Sequence, residues 1–487
     1  MKHGMRALIG LALLGGASPG PAAAPAPAST STSTSTPASS ATFQAVLARD
    51  LLAIVNDAHH PLASLSVLAI RHGKVRYEQQ FGLRRIDPAG LAGAPANAST
   101  MFRIASISKM MTTLGAMKLV EDGKLSLDAD LGPYLGFALR NPAYPHQTIT
   151  LRMLLSHTSS LRDEGGYSWG AGTALKEVLV PGARLYGEGA MWAKNGAPGS
   201  YFTYSNLNWG VIGTLMEKVT GERFDRLMKR LLLTPMGLRG GYNPSEFSLA
   251  ELADTATLYR KRGTDSELWN ASGPWIAQVD DYALRPPAAP HGIAGYAIGS
   301  NGTLFSPTGG LRISAADLGK IMRMLLNHGR HQGKQILKPD TIALMFAEQW
   351  RADGDGDRAG NGDTSHGLFK RWNLGNQRFD NLPGKGNGLV DGARFSAAGH
   401  LGDAYGLRSI FVLLKVIVGK VSTAKKLGER RSASRRSLCV VMLGVLISTL
   451  ICALSHDSGS AVMVPLKSAN APRTLLTKWR IWKFTLE

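Results

Sequence analysis

The sequence predicts an α/β fold. One domain of sheet and helices is assembled from two separated chain segments, with a mostly helical domain inserted between them. Three observations predict it. Near the N-terminus Leu65 to Ile70 is a strand-like run, His72-Gly73-Lys74 a turn, and Val75 to Phe81 the returning strand. From about Leu125 to Ser300 helical patterns and loops dominate. From Gly399 strand character returns, with Leu407 to Val418 almost wholly apolar or β-branched.

Each element follows in chain order. Lys2, His3 and Arg6 precede the short apolar run Ala7 to Ala17, and small residues follow at Ala22-Ala23-Ala24 and Ala26-Pro27-Ala28. That pattern predicts a signal peptide over residues 1–28 and an exported chain, periplasmic or secreted. No cysteine lies nearby to carry a lipid. Residues 29–42 are Ser, Thr, Pro and Ala, with nothing to bury, and predict a disordered linker. The folded domain is expected over 43–446, with its insertion at about 125–300. Phe43 to Ala58 reads as a helix with Val46, Leu47, Leu51, Ile54 and Val55 on its apolar side. Met101 to Leu119 reads as a helix that starts around Ser106. Ile149 to Leu155, Trp209 to Val219, Phe224 to Leu233 and Ala315 to Asn327 are further helices, the last with Asp317 in its first turn. Leu438 to Leu454 carries no charge and follows Arg430, Arg431, Arg435 and Arg436. It reads as a last core strand ending near Leu446, or else as a membrane helix with a basic flank. Residues 447–487 form a basic tail, in which Arg473 to Leu486 could supply a final helix.

With 44% hydrophobic and 18% charged residues in 487, the composition is that of a globular protein with a sizeable core. The formal charge is +20. Phe411 to Glu487 carries thirteen Lys and Arg against three Asp and Glu, so half of that excess sits in the C-terminal region. No nucleic-acid recognition motif accompanies it, which leaves an anionic wall or membrane surface as the partner for the basic region. The two cysteines, Cys439 and Cys452, share one apolar stretch and suggest neither a disulfide framework nor a zinc site. His59-His60, His328 and His331 read as surface or turn residues.

Ser106-Ile107-Ser108-Lys109 places a hydroxyl and an amine three residues apart, on one face of a helix. A serine hydroxyl is a poor nucleophile until a base takes its proton. A lysine amine can do so when burial or nearby cations lower its pKa. A helix N-terminus also favours developing negative charge. By itself an S-x-x-K string occurs about once by chance in a chain of this size, and Ser422-Thr423-Ala424-Lys425 is a second one. Tyr204-Ser205-Asn206 stands just before the helix at Trp209 and offers a phenol for proton transfer and an amide to hold a polar group. At His400-Leu401-Gly402 the glycine would admit substrate backbone to a strand edge, and the histidine could donate to a substrate anion or carbonyl. Gly166-Tyr167-Ser168-Trp169-Gly170 matches a rival nucleophile motif, but that motif needs a strand before it and a helix directly after, and here both flanks read as loop.

In this order, the three motifs resemble the serine β-lactamase and penicillin-binding-protein superfamily. The closer likeness is to the class C β-lactamase, D,D-peptidase and esterase branch. It covers about Phe43 to Leu446. Met101-Phe102-Arg103-Ile104-Ala105-Ser106, Leu154-Leu155-Ser156-His157-Thr158-Ser159, Thr308-Gly309-Gly310-Leu311 and Gly399-His400-Leu401-Gly402 support it. The resemblance implies an antiparallel sheet flanked by helices and a serine hydrolase acting on an ester, amide or D-amino-acid peptide. Ser106 would attack a carbonyl. Lys109 and Tyr204 would share proton transfer, with the base between them left open. Asn206 would orient substrate or Lys109. His400 and Gly402 would bind substrate, and the backbone N–H groups of Ser106 and Asp403 would form the oxyanion hole. His400 replaces the lysine of many β-lactamases, and Asp403 a small or hydroxyl residue, which counts against efficient β-lactam hydrolysis. A class C-like β-lactamase and a non-turnover penicillin-binding or wall-sensing module are the alternatives. A small-molecule or peptide substrate is expected, with no metal or organic cofactor and no nucleic acid.

Overall fold

A computed structural model describes residues 38–87, 93–282, 285–354, 358–381, 387, 389, 395–415 and 437–445. The expected signal peptide, most of the expected linker, the second S-x-x-K string at Ser422 and the basic tail with its expected helix lie outside the described residues.

The first helix, α1 (Ala38–Val55), begins five residues before the predicted start of the folded domain. It is followed by the hairpin β1 (Ser64–Arg71) and β2 (Lys74–Arg85). A short strand β3 (Ala94–Pro95) pairs beside β2. Next come β4 (Met101–Arg103) and α2 (Ile107–Glu121), so the helix predicted to start around Ser106 does, with a strand before it. The inserted region carries helices joined by long loops. Its longest helix is α3 (Leu207–Thr220), and Leu151–Leu155, Leu175–Leu179, Phe224–Met228 and Leu249–Asp254 are shorter. It also contains a hairpin of Leu258–Lys261 and Trp275–Val279 that the sequence did not suggest. The chain returns through β5 (Arg312–Ser314), paired with β4, and α4 (Ala315–Leu326).

The C-terminal strands are β6 (Trp350–Arg351), β7 (Arg371–Trp372), β8 (Gln377–Asn381), β9 (Phe395–Ala404), β10 (Leu407–Lys415) and β11 (Ser437–Val445). With the N-terminal hairpin they form one antiparallel sheet of nine strands in the order β6-β7-β8-β9-β10-β11-β1-β2-β3. Two chain segments therefore build one sheet, as predicted. β11 fills its middle, pairing from Leu65↔Gly444 to Arg71↔Leu438 on one side and from Leu407↔Val445 to Lys415↔Ser437 on the other. Residues 438–445 are thus a core strand. The membrane-helix reading fails there because residues 438–445 pair on both edges, with β1 and β10, and a run of apolar and β-branched residues suits a central strand as well as a lipid-facing helix. No helix among the described residues is long and apolar enough to cross a membrane.

Side chains alternate across the sheet at the strand period of two. Leu65, Val67 and Ala69 of β1, with Ile410, Val412 and Leu414 of β10, pack against Leu47, Leu51 and Val55 of α1. Leu68, Ile70, Leu407 and Phe411 face the other way, into the larger core with α2 and α4. Gly319 lets α4 lie close to the sheet, since a Cβ there would stand 2.3 Å from Leu68 Cδ2. Helix α2 is buried on every side from Ile107 to Met117, the signature of a helix enclosed by the core rather than lying on it. Its N-terminus opens where the sheet and the insertion meet.

Candidate active site

Ser106 owes its position to the strand before it. Ile104 N–H donates to Leu311 O at 3.0 Å, which continues the β4–β5 pairing. Ala105 then turns the chain with φ +49°. That left-handed conformation costs a non-glycine residue about 1–2 kcal/mol and is held by the packing around it. Ser106 follows with φ −65° as the residue that opens α2. Behind the turn, a Cβ added to Gly402 would come within 2.7 Å of Ile104 O and 3.2 Å of Ala105 Cβ. The close approach that Gly402 permits is thus to the chain's own 104–105 segment, where the sequence suggested substrate backbone.

Lys109 is fully buried one helical turn further on. Its Nζ lies 3.0 Å from Ser106 Oγ, 2.7 Å from Asn206 Oδ1 and 3.2 Å from Thr308 O. Asn206 and Thr308 offer only acceptors here, so Lys109 donates to both. The third direction remains for Ser106, as donor from an ammonium or as the lone pair of a neutral amine. Burial pushes the Lys109 pKa down to about 7, against the opposing charge of Asp163. The amine is therefore free to take a proton near neutral pH.

Tyr204 covers the same nitrogen with its ring, whose centroid lies 4.9 Å from Lys109 Nζ, and its phenol lies on the Ser106 side of the cluster. Burial pushes the phenol above its ordinary range, so it stays protonated at neutral pH. The ring is stacked between His157, at 4.5 Å, and Phe369, at 5.2 Å. His157 Nδ1 accepts the Ser205 N–H at 3.0 Å, which leaves its proton on Nε2. Burial, then the charges of Lys109 and His400, hold its pKa well below the usual histidine range. His157 follows the Leu151–Leu155 helix and serves as a neutral aromatic wall for Tyr204.

Asn206 is tied at both ends. Its Oδ1 accepts from Lys109 and from Thr308 Oγ1 at 2.8 Å, and its Nδ2 donates to Asp163 Oδ2 at 2.9 Å. Asp163 also accepts from Asn206 N at 2.8 Å, Leu207 N at 3.0 Å and Ser205 Oγ at 2.8 Å. It thereby caps α3 from outside the helix. Sequence reasoning missed Asp163 and gave Thr308 no role. Nothing local marks Asp163, which stands more than forty residues from the backbone it holds.

His400 is buried on β9, and its Nδ1 donates to Leu401 O at 2.6 Å. Burial, and then the charge of Lys109, push its pKa down to about 3. With the one proton on Nδ1, the buried Nε2 carries a lone pair and has no partner among the described residues. His400 can thus accept a hydrogen bond, and the donor role expected from sequence is not available in this tautomer. Asp403 faces Arg408 across the β9–β10 pair, and their side chains form an ion pair at 3.4 Å. β8 pairs with β9 only as far as Gln377↔Gly399, whereas β10 pairs with it to Ala404↔Leu407. From His400 to Ala404 one edge of β9 therefore has no strand partner among the described residues.

The structure thus gathers Ser106, Lys109, Tyr204 and Asn206 into one cluster, with Lys109 hydrogen-bonded to Ser106 and Asn206 and seated over the Tyr204 ring. His400 joins it through its ring, 6.3 Å from that of Tyr204, and Gly402 lies behind Ala105. The rival Ser168 is left out. It is exposed in a loop, without a strand before it or a helix directly after. The arrangement offers a hydroxyl beside a buried base and a neutral phenol, which suits attack on a carbonyl.

A family model described as Beta-lactamase matches residues 41–425. Penicillin-binding protein 4 of Amycolatopsis lactamdurans is 26% identical over 308 residues, which span 62% of this chain and 70% of that protein. Esterase EstB of Burkholderia gladioli is 29% identical over 283 residues, 53% of this chain and 69% of the esterase. The octameric penicillin-binding protein homologue from Pyrococcus abyssi shares the fold, with a TM-score of 0.55 at 19% identity over 83% of this chain and 74% of that one.

Proposed function

The chain belongs to the beta-lactamase family, whose relatives include penicillin-binding proteins and esterases, and from that premise we propose that it hydrolyses an ester, amide or D-amino-acid peptide through an acyl-enzyme on Ser106. One observation carries the reading: the buried Lys109 Nζ, 3.0 Å from Ser106 Oγ, with its other two partners acceptors only.

Ser106 Oγ attacks the substrate carbonyl carbon as its proton passes to the Lys109 amine, directly or through the Tyr204 phenol. The electron pair of the C=O bond moves to oxygen, and the backbone N–H groups of Ser106 and Asp403 receive that oxyanion. The tetrahedral adduct collapses and expels the alcohol or amine, which takes its proton from Tyr204 or the Lys109 ammonium. Water then attacks the ester and gives a proton back through the same pair. The acid leaves, and Ser106 regains its hydrogen.

His400 favours esters and amides without a carboxylate over β-lactams. At neutral pH it is uncharged, so the position where many β-lactamases carry lysine lacks a cation for the β-lactam carboxylate. The test is p-nitrophenyl acetate hydrolysis and fluorophosphonate labelling of wild type and Ser106→Ala. Multiple turnovers in wild type and neither turnover nor labelling in the variant are expected. Equal labelling of Ser106→Ala would overturn the proposal.

A further inference from the structure

A primary amide has two ends of similar size and opposite chemistry. Turned one way, Asn206 offers Lys109 an acceptor. Turned the other, it sets two donors against each other. What decides the orientation lies on the far side of the amide, where Asp163 Oδ2 accepts from Asn206 Nδ2. The same carboxylate accepts from Ser205 Oγ, Asn206 N and Leu207 N, so three consecutive residues are fastened to one side chain. Thr308 Oγ1 donates to Asn206 Oδ1 and agrees with that orientation.

We propose that Asp163 is a positioning residue for the reaction: it locks Asn206 with its carbonyl oxygen on Lys109, and its charge steadies the Lys109 ammonium while the lysine holds the serine proton. The inference rests on the reading of Ser106 and Lys109 given above. The ionisable groups that face Lys109 are Tyr204 and Asp163 from the insertion, His157 beside them, and His400 from β9. The phenol and both imidazoles are uncharged at neutral pH, which leaves Asp163 as the anion among them. Asp163 is half-buried, with Arg162 and Tyr167 nearby.

The experiment is the pH profile of kcat/KM for p-nitrophenyl acetate in wild type, Asp163→Asn and Asp163→Glu, with rates normalised to the fluorophosphonate-labelled site. In Asp163→Asn kcat should fall about 10- to 100-fold with KM within about threefold, as for a group acting through the base. Its acidic midpoint should move below that of wild type, because loss of the anion makes the Lys109 cation harder to hold. Asp163→Glu keeps the charge but displaces the hydrogen bonds, so kcat should fall while the midpoint stays. Where Asp163→Asn yields no labelled enzyme, Asp163→Ser gives the same reading. An unmoved midpoint in the uncharged variants, at any rate, would overturn the inference. Turnover surviving in Ser106→Ala would instead overturn the reading of the site beneath it.

Discussion

Gly402→Ala should slow acylation without touching any group that meets substrate. The added Cβ would stand 2.2 Å from Ser409 Oγ, 2.7 Å from Ile104 O and 3.2 Å from Ala105 Cβ, where ordinary contact begins near 3.4 Å. Ser409 can turn its hydroxyl away, although it would give up its 3.0 Å bond to Ile104 O. The carbonyl of Ile104 is backbone and must retreat by about 0.7 Å, the difference between 2.7 and 3.4 Å. Ala105 and Ser106 move with it, and the 3.0 Å contact from Ser106 Oγ to Lys109 Nζ is disturbed. A misplacement of about 1 Å can cost on the order of 100-fold in rate, so a loss of about 10- to 100-fold is expected. Overpacking of this kind also costs about 1–3 kcal/mol of stability. Single-turnover fluorophosphonate labelling measures the rate, and urea unfolding the stability. Adding Ser409→Ala removes the nearest atom but leaves the clash with Ile104 O, so the double variant should recover some stability and little rate. A Gly402→Ala variant labelling at the wild-type rate would refute the idea that a missing side chain at 402 sets the position of Ser106.

Activity should rise with pH through about 7 as Lys109 loses its proton, which a kcat/KM profile on an ester reads directly. The stability sign follows from the same shift. Below about pH 7 the buried lysine is charged in both folded and unfolded states, and the burial penalty is full. Between about 7 and 10.5 the folded chain holds the neutral amine while the unfolded chain still binds a proton, so stability rises with pH across that window. Lys109→Met should therefore abolish turnover and raise the melting temperature, by more at pH 6 than at pH 9, in calorimetry. Leu68→Ala should cost about 2–5 kcal/mol and Gly319→Ala about 1–3 kcal/mol. Because the new Cβ would meet Leu68 Cδ2, the double variant should lose less than the sum in denaturant unfolding. Asp280 makes a two-pronged bond to the buried Arg312, at 2.6 and 3.0 Å. Asp280→Asn should cost about 3–5 kcal/mol by leaving that guanidinium unpaired, as thermal melts would show.

The local part of this structure is readable from the chain. Ser106 and Lys109 meet because residues three apart on a helix always do, and the N-terminal hairpin is announced by its turn. The order of the three motifs carries the rest of the cluster, since Tyr204 and Asn206 sit just before a helix whose apolar pattern is plain. What depends on distant atoms is not readable. Asp163 acts on residues 205–207, and no periodicity links them. The direction of the His400 proton is set by one carbonyl, Leu401 O, which no pattern reveals. Gly402 looks like an opening for a ligand until the neighbouring segment is seen to fill the room. Residues 438–445 read two ways because hydrophobicity does not distinguish a central strand of a sheet from a span of lipid. Only pairing with Ser64–Arg71 and Leu407–Lys415 resolves it.

That central strand also bears on synthesis. Leu65 is among the first residues of the sheet to leave the ribosome, and Gly444, its partner in β11, is among the last. Until β11 emerges, β1 and β10 each present an unsatisfied ladder of backbone donors and acceptors, the kind of edge that joins to other chains. The sheet cannot close one half at a time, and contacts this far apart in sequence form slowly. A ribosome that stops short of residue 437 would release a chain holding every member of the Ser106 cluster and lacking the strand that joins the two halves of the sheet. For this protein the cost of a late frameshift is measured in aggregation before it is measured in turnover.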